Sequence, residues 1–76
     1  MIETEKQIIA KAYTKAELAH MYNPDMSYSS ALRTLRLWIE HNKKLLQELK
    51  KLGYIPSQHI FTPKQVELIF TYLGMP

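Results

Sequence analysis

Two near-identical helix-start signatures, Thr14-Lys15-Ala16-Glu17 and Thr62-Pro63-Lys64-Gln65, stand 48 positions apart and bound everything between them. In each, a Thr hydroxyl is placed to accept from the backbone N–H three residues on. The Glu or Gln at that third position can reach back to the Thr N–H. Each signature is followed by apolar residues at helical spacing and then by a stop. Asn23-Pro24-Asp25 closes the first, because the residue before proline avoids the α region. Gly74 closes the last. A chain punctuated this way folds into several short helices.

The first helix is predicted over Lys15 to Tyr22, with Tyr13 and Leu18 at the staple positions and Ala16, Leu18, Ala19 and Tyr22 giving it an apolar side. Ser27 caps a second helix. Its apolar stripe runs through Tyr28, Ala31, Leu32, Leu35, Trp38 and Ile39. Asn42 is either a polar position on one long helix or the cap of a third, and a break there is the favoured reading. Leu45, Leu46, Leu49 and Leu52 form the stripe of the third helix. Gly53 stands at its C′ position, and Tyr54 packs back. Helix four runs Pro63 to Leu73, with Val66, Ile69, Phe70 and Leu73 on one face. Gln7 to Ala12 and His59 to Phe61 read as short strands able to pair as an antiparallel ribbon, and Met1 to Lys6 as a loose terminus. The expected fold is mainly α: a small winged-helix-like or helix-turn-helix domain over residues 1–76, with four helices and a two-stranded antiparallel ribbon. Trp38 falls on the stripe and is expected to anchor the core. Leu37 does not fit that stripe and either packs on helix three, the favoured reading, or marks a contact with a partner.

Composition removes whole classes of function. Seventy-six residues make one small domain with a thin core. The absence of Cys excludes disulfides, Cys-ligated zinc and a thiol nucleophile. No apolar run exceeds three residues, so no membrane helix is expected. The first 20 residues have no continuous apolar region and do not read as a signal peptide. A soluble, cytoplasmic protein is the expectation. His20, His41 and His59 are widely spaced. Glu17 and His20 make one E-x-x-H pair where carboxylate-bridged metal sites need two pairs and two further Glu. Ser27, Ser29 and Ser30 suit a helix start better than a triad. No Gly-rich loop is present. Neither an enzyme nor a cofactor is therefore expected.

The charge distribution is more informative. Lys and Arg number ten against seven Asp and Glu, a net of +3. Residues 31–52 carry six of the cations, namely Arg33, Arg36, Lys43, Lys44, Lys50 and Lys51, against Glu40 and Glu48 alone. A one-signed stretch is a footprint for phosphates. In a helix-turn-helix the second helix enters the major groove and its first residues reach base edges. Those residues here are Tyr28, Ser29, Ser30 and Arg33, followed by Arg36, with Lys43 and Lys44 on flanking phosphates. Hydroxyls suit phosphates or bases, and Arg suits the guanine edge. The competing reading is a solvated face laced by Glu40–Lys44, Arg36–Glu40 and Glu48–Lys51 pairs. Double-stranded DNA is thus one expected partner. A protein partner or a second copy of the chain is the other, received on Leu37, Met21, Met26 and Met75.

Three pieces resemble the amino-terminal domain of MerR-like regulators and phage excisionases. YTKAELAHMY carries the E-L-A core (Glu17, Leu18, Ala19). SALRTLRLWI carries the second-helix run (Arg33, Leu35, Arg36). FTPKQVELI carries the last helix start (Phe61, Thr62, Val66). The resemblance implies a winged-helix DNA-binding fold. It is broken by the Leu-rich insertion from Glu40 to Gly53, and the 76 residues hold no counterpart of the coiled coil and effector domain of full regulators. Over nearly its whole length the chain more closely resembles a family of short bacterial proteins, domain of unknown function 4248. Their pattern is an E-L-A start, an N-P turn, L-x-x-W-I, L-x-x-x-G-Y and a T-P-x-Q-V helix ending in L-G-x-P. Leu18, Pro24, Leu35, Trp38, Ile39, Leu49, Gly53, Tyr54, Pro63, Gln65, Val66, Leu73, Gly74 and Pro76 sit at those positions. This resemblance implies a shared fold and no established activity.

Overall fold

A computed structural model describes residues 9–76. The element order is β1 (Tyr13–Thr14), α1 (Lys15–Tyr22), α2 (Tyr28–His41), α3 (Lys43–Lys51), β2 (Ile60–Phe61) and α4 (Pro63–Leu73). Among the described residues the fold is mainly α, with four helices and one two-stranded antiparallel sheet, consistent with a small winged-helix-like domain. Tyr13 pairs with Phe61 and Thr14 with Ile60.

The local signals explain the boundaries. Both capping boxes are closed: Thr14 accepts from the Glu17 N–H and Thr62 from the Gln65 N–H. Asn42 ends α2 and caps α3, its side chain accepting from the Leu45 N–H at 3.0 Å. At the end of α3, the Gly53 N–H donates to Lys50 and the Tyr54 N–H to Leu49, both at 3.0 Å. That double bond pattern needs a left-handed residue at the C′ position, and Gly53 supplies it at φ +86°.

One apolar cluster joins all four helices. Leu18 and Ala19 come from α1, Ala31, Leu35 and Ile39 from α2, Leu45 and Leu49 from α3, and Val66 and Ile69 from α4, with Tyr54 and Phe61 closing it. The Tyr54 and Phe61 rings lie 6.0 Å apart and 19° from parallel.

Four expectations need correction. The amino-terminal strand is shorter and later than Gln7–Ala12. Gln7 and Ile8 lie outside the described residues, as does the loose terminus expected over Met1–Lys6, and residues 9–12 form no strand. Pairing begins only at Tyr13, opposite a β2 of just two residues, because α4 starts at Pro63, which has no N–H to donate to a ladder. Trp38 is not a core anchor: it is 39% exposed, and its ring stands nearly perpendicular to that of Tyr22 with centres 5.9 Å apart. The buried side of α2 centres on Leu35, and Trp38 and Tyr28 lie at its margins. Leu37 is also exposed rather than packed on α3. Leu52 leaves the α3 stripe because the helix stops at Lys51 and Leu52 becomes the C-cap.

Candidate nucleic-acid interface and cleft

The α1–α2 corner is built from short-range bonds. The Met26 N–H donates to the Asn23 carbonyl at 3.2 Å, turning the chain after α1. Ser27 Oγ then accepts from the Ser30 N–H at 3.2 Å and starts α2. The Tyr28 ring stacks on His20 of α1 at 4.1 Å and 21°, which fixes the first turn of α2 against the preceding helix. Tyr28 is nonetheless 56% exposed, and Ser29, Ser30 and Arg33 are exposed beside it. The sequence-predicted residues at the start of α2 therefore share one solvent-facing end of the helix.

The remaining predicted residues divide. Arg36 is exposed and borders a cleft on the α1 side of α2, which Arg33 does not line. Lys43 and Lys44 are exposed in the first turn of α3, beyond the bend at Asn42. Helix dipoles disfavour cations at an N-terminus, so stability does not account for two lysines there. The expected Glu40–Lys44 and Arg36–Glu40 ion pairs are not formed. The break at Asn42 removes the single-helix spacing that the first pair needs. Among the described residues only Glu48–Lys51, at 3.4 Å, lies within ion-pair distance.

The cleft has a volume of about 550 Å³ and lies between the start of α1, the middle of α2 and the Pro56–His59 loop. Leu35, Ile39, Tyr54 and Phe61 are buried beneath it, Leu32 and Pro56 give it accessible apolar surface, and Lys15, Arg36 and His59 stand around it. Lys15 Nζ donates to the Pro56 carbonyl at 2.8 Å and lies 5.3 Å from the Tyr54 ring centre and 5.9 Å from that of Phe61. Burial first, and the nearby Arg36 charge second, pull the Lys15 ammonium below the ordinary lysine range. Burial chiefly raises the Tyr54 phenol, with Glu40 raising it further and Arg36 opposing. Sequence reasoning placed Lys15 only in a capping box. Its partner Pro56 is 41 residues away, and no local pattern signals that contact.

The Pro56–His59 loop is itself bonded in place. The Gln58 amide carbonyl accepts from the Ile55 N–H at 3.0 Å, and its nitrogen donates to Ile60 and to Gln65, each at 2.8 Å. Glu17 is occupied by the Thr14 N–H, and His20 by its stack on Tyr28. No group of three or more His, Asp and Glu able to hold a metal ion occurs among the described residues. Among them, too, no helix is long and apolar enough to cross a membrane.

The profile of the family described as Domain of unknown function (DUF4248) matches residues 9–76, and the chain belongs to that family. No curated protein and no solved structure matches the chain.

Proposed function

We propose that this DUF4248 domain binds double-stranded DNA, with the start of α2 in the major groove, as a transcription regulator of the cytoplasm would. The observation that carries the reading is the solvent-facing start of α2. Tyr28, Ser29, Ser30 and Arg33 are all exposed there, on a helix whose orientation is set by the stacked Tyr28–His20 pair. A recognition helix needs this combination of a fixed axis and free side chains at its N-terminal end. Arg33 is the residue suited to a guanine edge, and the serines are suited to phosphates or bases. Arg36 stands toward the flank. Lys43 and Lys44 add phosphate contacts beyond the bend, at a helix start where a phosphate also meets free N–H groups.

One such module buries only about 600–1,000 Å² on DNA, so useful affinity calls for a second copy on an adjacent half-site. Fluorescence polarisation with a genomic DNA pool at low salt tests the reading. Binding that weakens steeply with salt and drops in Arg33→Ala is expected. No binding to the pool at low salt overturns it.

A second reading, a protein-interaction module without nucleic-acid binding, is favoured by a different observation. Met26, Leu37, Trp38 and Met75 are exposed, and the Thr34 hydroxyl of α2 holds the Met26 sulfur at 3.7 Å. The occupant that suits this surface is a second copy of the chain. Sedimentation of the parent and of Trp38→Ser, beside the polarisation assay, separates the two. A Trp38-dependent dimer that ignores DNA supports the second reading, and a monomer at all concentrations removes it.

A further inference from the structure

We propose that the cleft between α1, α2 and the Pro56–His59 loop binds a small carboxylate with an apolar body, its anion at Lys15 and Arg36 and its body on Leu32 and Pro56. Arg36 borders this space from the flank of the proposed DNA interface, and the rest of the lining is used by neither DNA binding nor self-association. Its volume, about 550 Å³, lies in the range of small-molecule sites, roughly 300–1,000 Å³. Such sites combine an apolar lining with a few placed polar groups, and here those groups are cationic.

Structure alone gives Lys15 part of its role. It ties the loop to α1 through Pro56 and stands over two aromatic rings. It does not explain why Arg36 borders the same space. The two like charges repel, and the Arg36 charge disfavours the charged form of Lys15. Among the described residues no carboxylate lies within ion-pair distance of either. Glu40 acts on the Tyr54 hydroxyl and makes no pair with Arg36. An anion set between Lys15 and Arg36 relieves that repulsion. The ammonium has three donors, of which Pro56 takes one, and the guanidinium offers a fork suited to a carboxylate.

The floor selects the rest of the ligand. Half-buried Leu32 of α2 and exposed Pro56 of the loop give the cleft accessible apolar surface above the buried Tyr54 and Phe61 rings. A bare inorganic anion leaves this surface uncovered, whereas an aryl or short alkyl group attached to the carboxylate covers it. The loop wall is held by Gln58, so the cleft exists without the ligand.

Titration of the full chain, followed by backbone amide shifts, tests the proposal with four probes: phenylbutyrate, phenylbutanol, phenylbutylamine and inorganic phosphate. Saturable shifts at Lys15, Leu32 and Arg36 are expected with phenylbutyrate. The alcohol and phosphate should each bind about tenfold more weakly, because each lacks one half of the recognition. The amine should not bind. Lys15→Met and Arg36→Gln should both weaken phenylbutyrate while leaving the alcohol unchanged. Equal affinity for acid and alcohol overturns the proposal, as does equal affinity for phosphate. So does an absence of saturable shifts at millimolar phenylbutyrate. If Lys15→Met fails to fold, the probe series on the parent and the Arg36→Gln variant still decide the matter.

Discussion

The side-chain amide of Gln58 donates to the Gln65 carbonyl oxygen at 2.8 Å, so the capping box of α4 also holds the wall of the cleft. Gln65 is the one buried polar side chain among the described residues, and three partners converge on it. Its oxygen accepts from the Thr62 N–H at 3.0 Å as well as from Gln58, and its nitrogen lies 3.4 Å from the Leu52 carbonyl. Through these bonds the end of α3, the loop and the start of α4 form one network.

Gln65→Ala should therefore cost more than an ordinary capping substitution. It leaves several polar groups without their partner and opens a cavity. Unsatisfied buried groups cost about 1–3 kcal/mol each, and a lost cap roughly 1 kcal/mol. A loss of about 2–4 kcal/mol in chemical denaturation is expected on those magnitudes. Thr62→Ala, which removes only the cap, should lose about 1 kcal/mol. Equal losses in the two variants would show that the Gln58 and Leu52 bonds contribute nothing.

Leu35 and Trp38 should reverse the order that side-chain size suggests. Leu35 is fully buried at the centre of the α2 interface. Leu35→Ala should cost about 2–5 kcal/mol, the range for buried leucine truncation. Trp38 is partly exposed and its main aromatic contact is the T-shaped one with Tyr22. Trp38→Ala should cost about 1–2 kcal/mol, from partial burial and one edge-to-face contact. Urea denaturation of both variants beside the parent reads the order directly. Tryptophan emission near that of a solvent-exposed indole is the companion expectation.

These contrasts explain which parts of the fold were legible in the sequence. Thr14, Glu17, Thr62 and Gln65 define their helix starts because the bonded groups are three residues apart, so the chain itself brings them together. Asn42 and Gly53 are legible for the same reason: a cap and a left-handed C′ residue act within one turn. Periodicity locates the buried side of α2, but not how far its neighbours extend around it. Trp38 therefore reads as a core residue from its spacing and stands at the margin in the fold. Lys15 shows the other limit. Its position on α1 is local information, but its cleft is made by α2 and by Pro56, and no spacing rule carries that. The exposed start of α2 was legible as a pattern of residue types, and its side-chain freedom followed once Ala31, Leu35 and Ile39 faced inward.

Lys43 offers a test in which stability and function move in opposite directions. It stands at the first position of α3, where the partial positive charge of the helix end disfavours a cation. Lys43→Glu should raise stability by about 0.3–1 kcal/mol, the usual range for reversing an exposed charge at a helix end. The same change should weaken DNA binding and reduce its salt dependence by about one phosphate contact. Thermal melts and polarisation titrations on one preparation give both signs. A variant that gains stability and keeps full affinity removes Lys43 from the proposed interface.

Tyr22 couples the carboxy-terminal end of the fold to pH. Its hydroxyl donates to the Gly74 carbonyl, and burial raises its pKa from 10.0 to about 12. In the unfolded chain the phenol loses its proton near 10, while the folded chain keeps it. The stabilisation is thus fully present below pH 10 and is lost as pH rises from about 10 toward about 12. Other tyrosines and the lysines also titrate there, so the informative quantity is the difference between the parent and Tyr22→Phe. At neutral pH the variant should be less stable by about 0.5–1.5 kcal/mol, the net worth of one hydrogen bond. As pH rises above 10 the gap should narrow and then change sign, because phenylalanine has no proton to lose. Melting curves of the two proteins that stay parallel across that interval would mean that the Tyr22 hydroxyl titrates as if solvated and that its bond to Gly74 does not persist in solution.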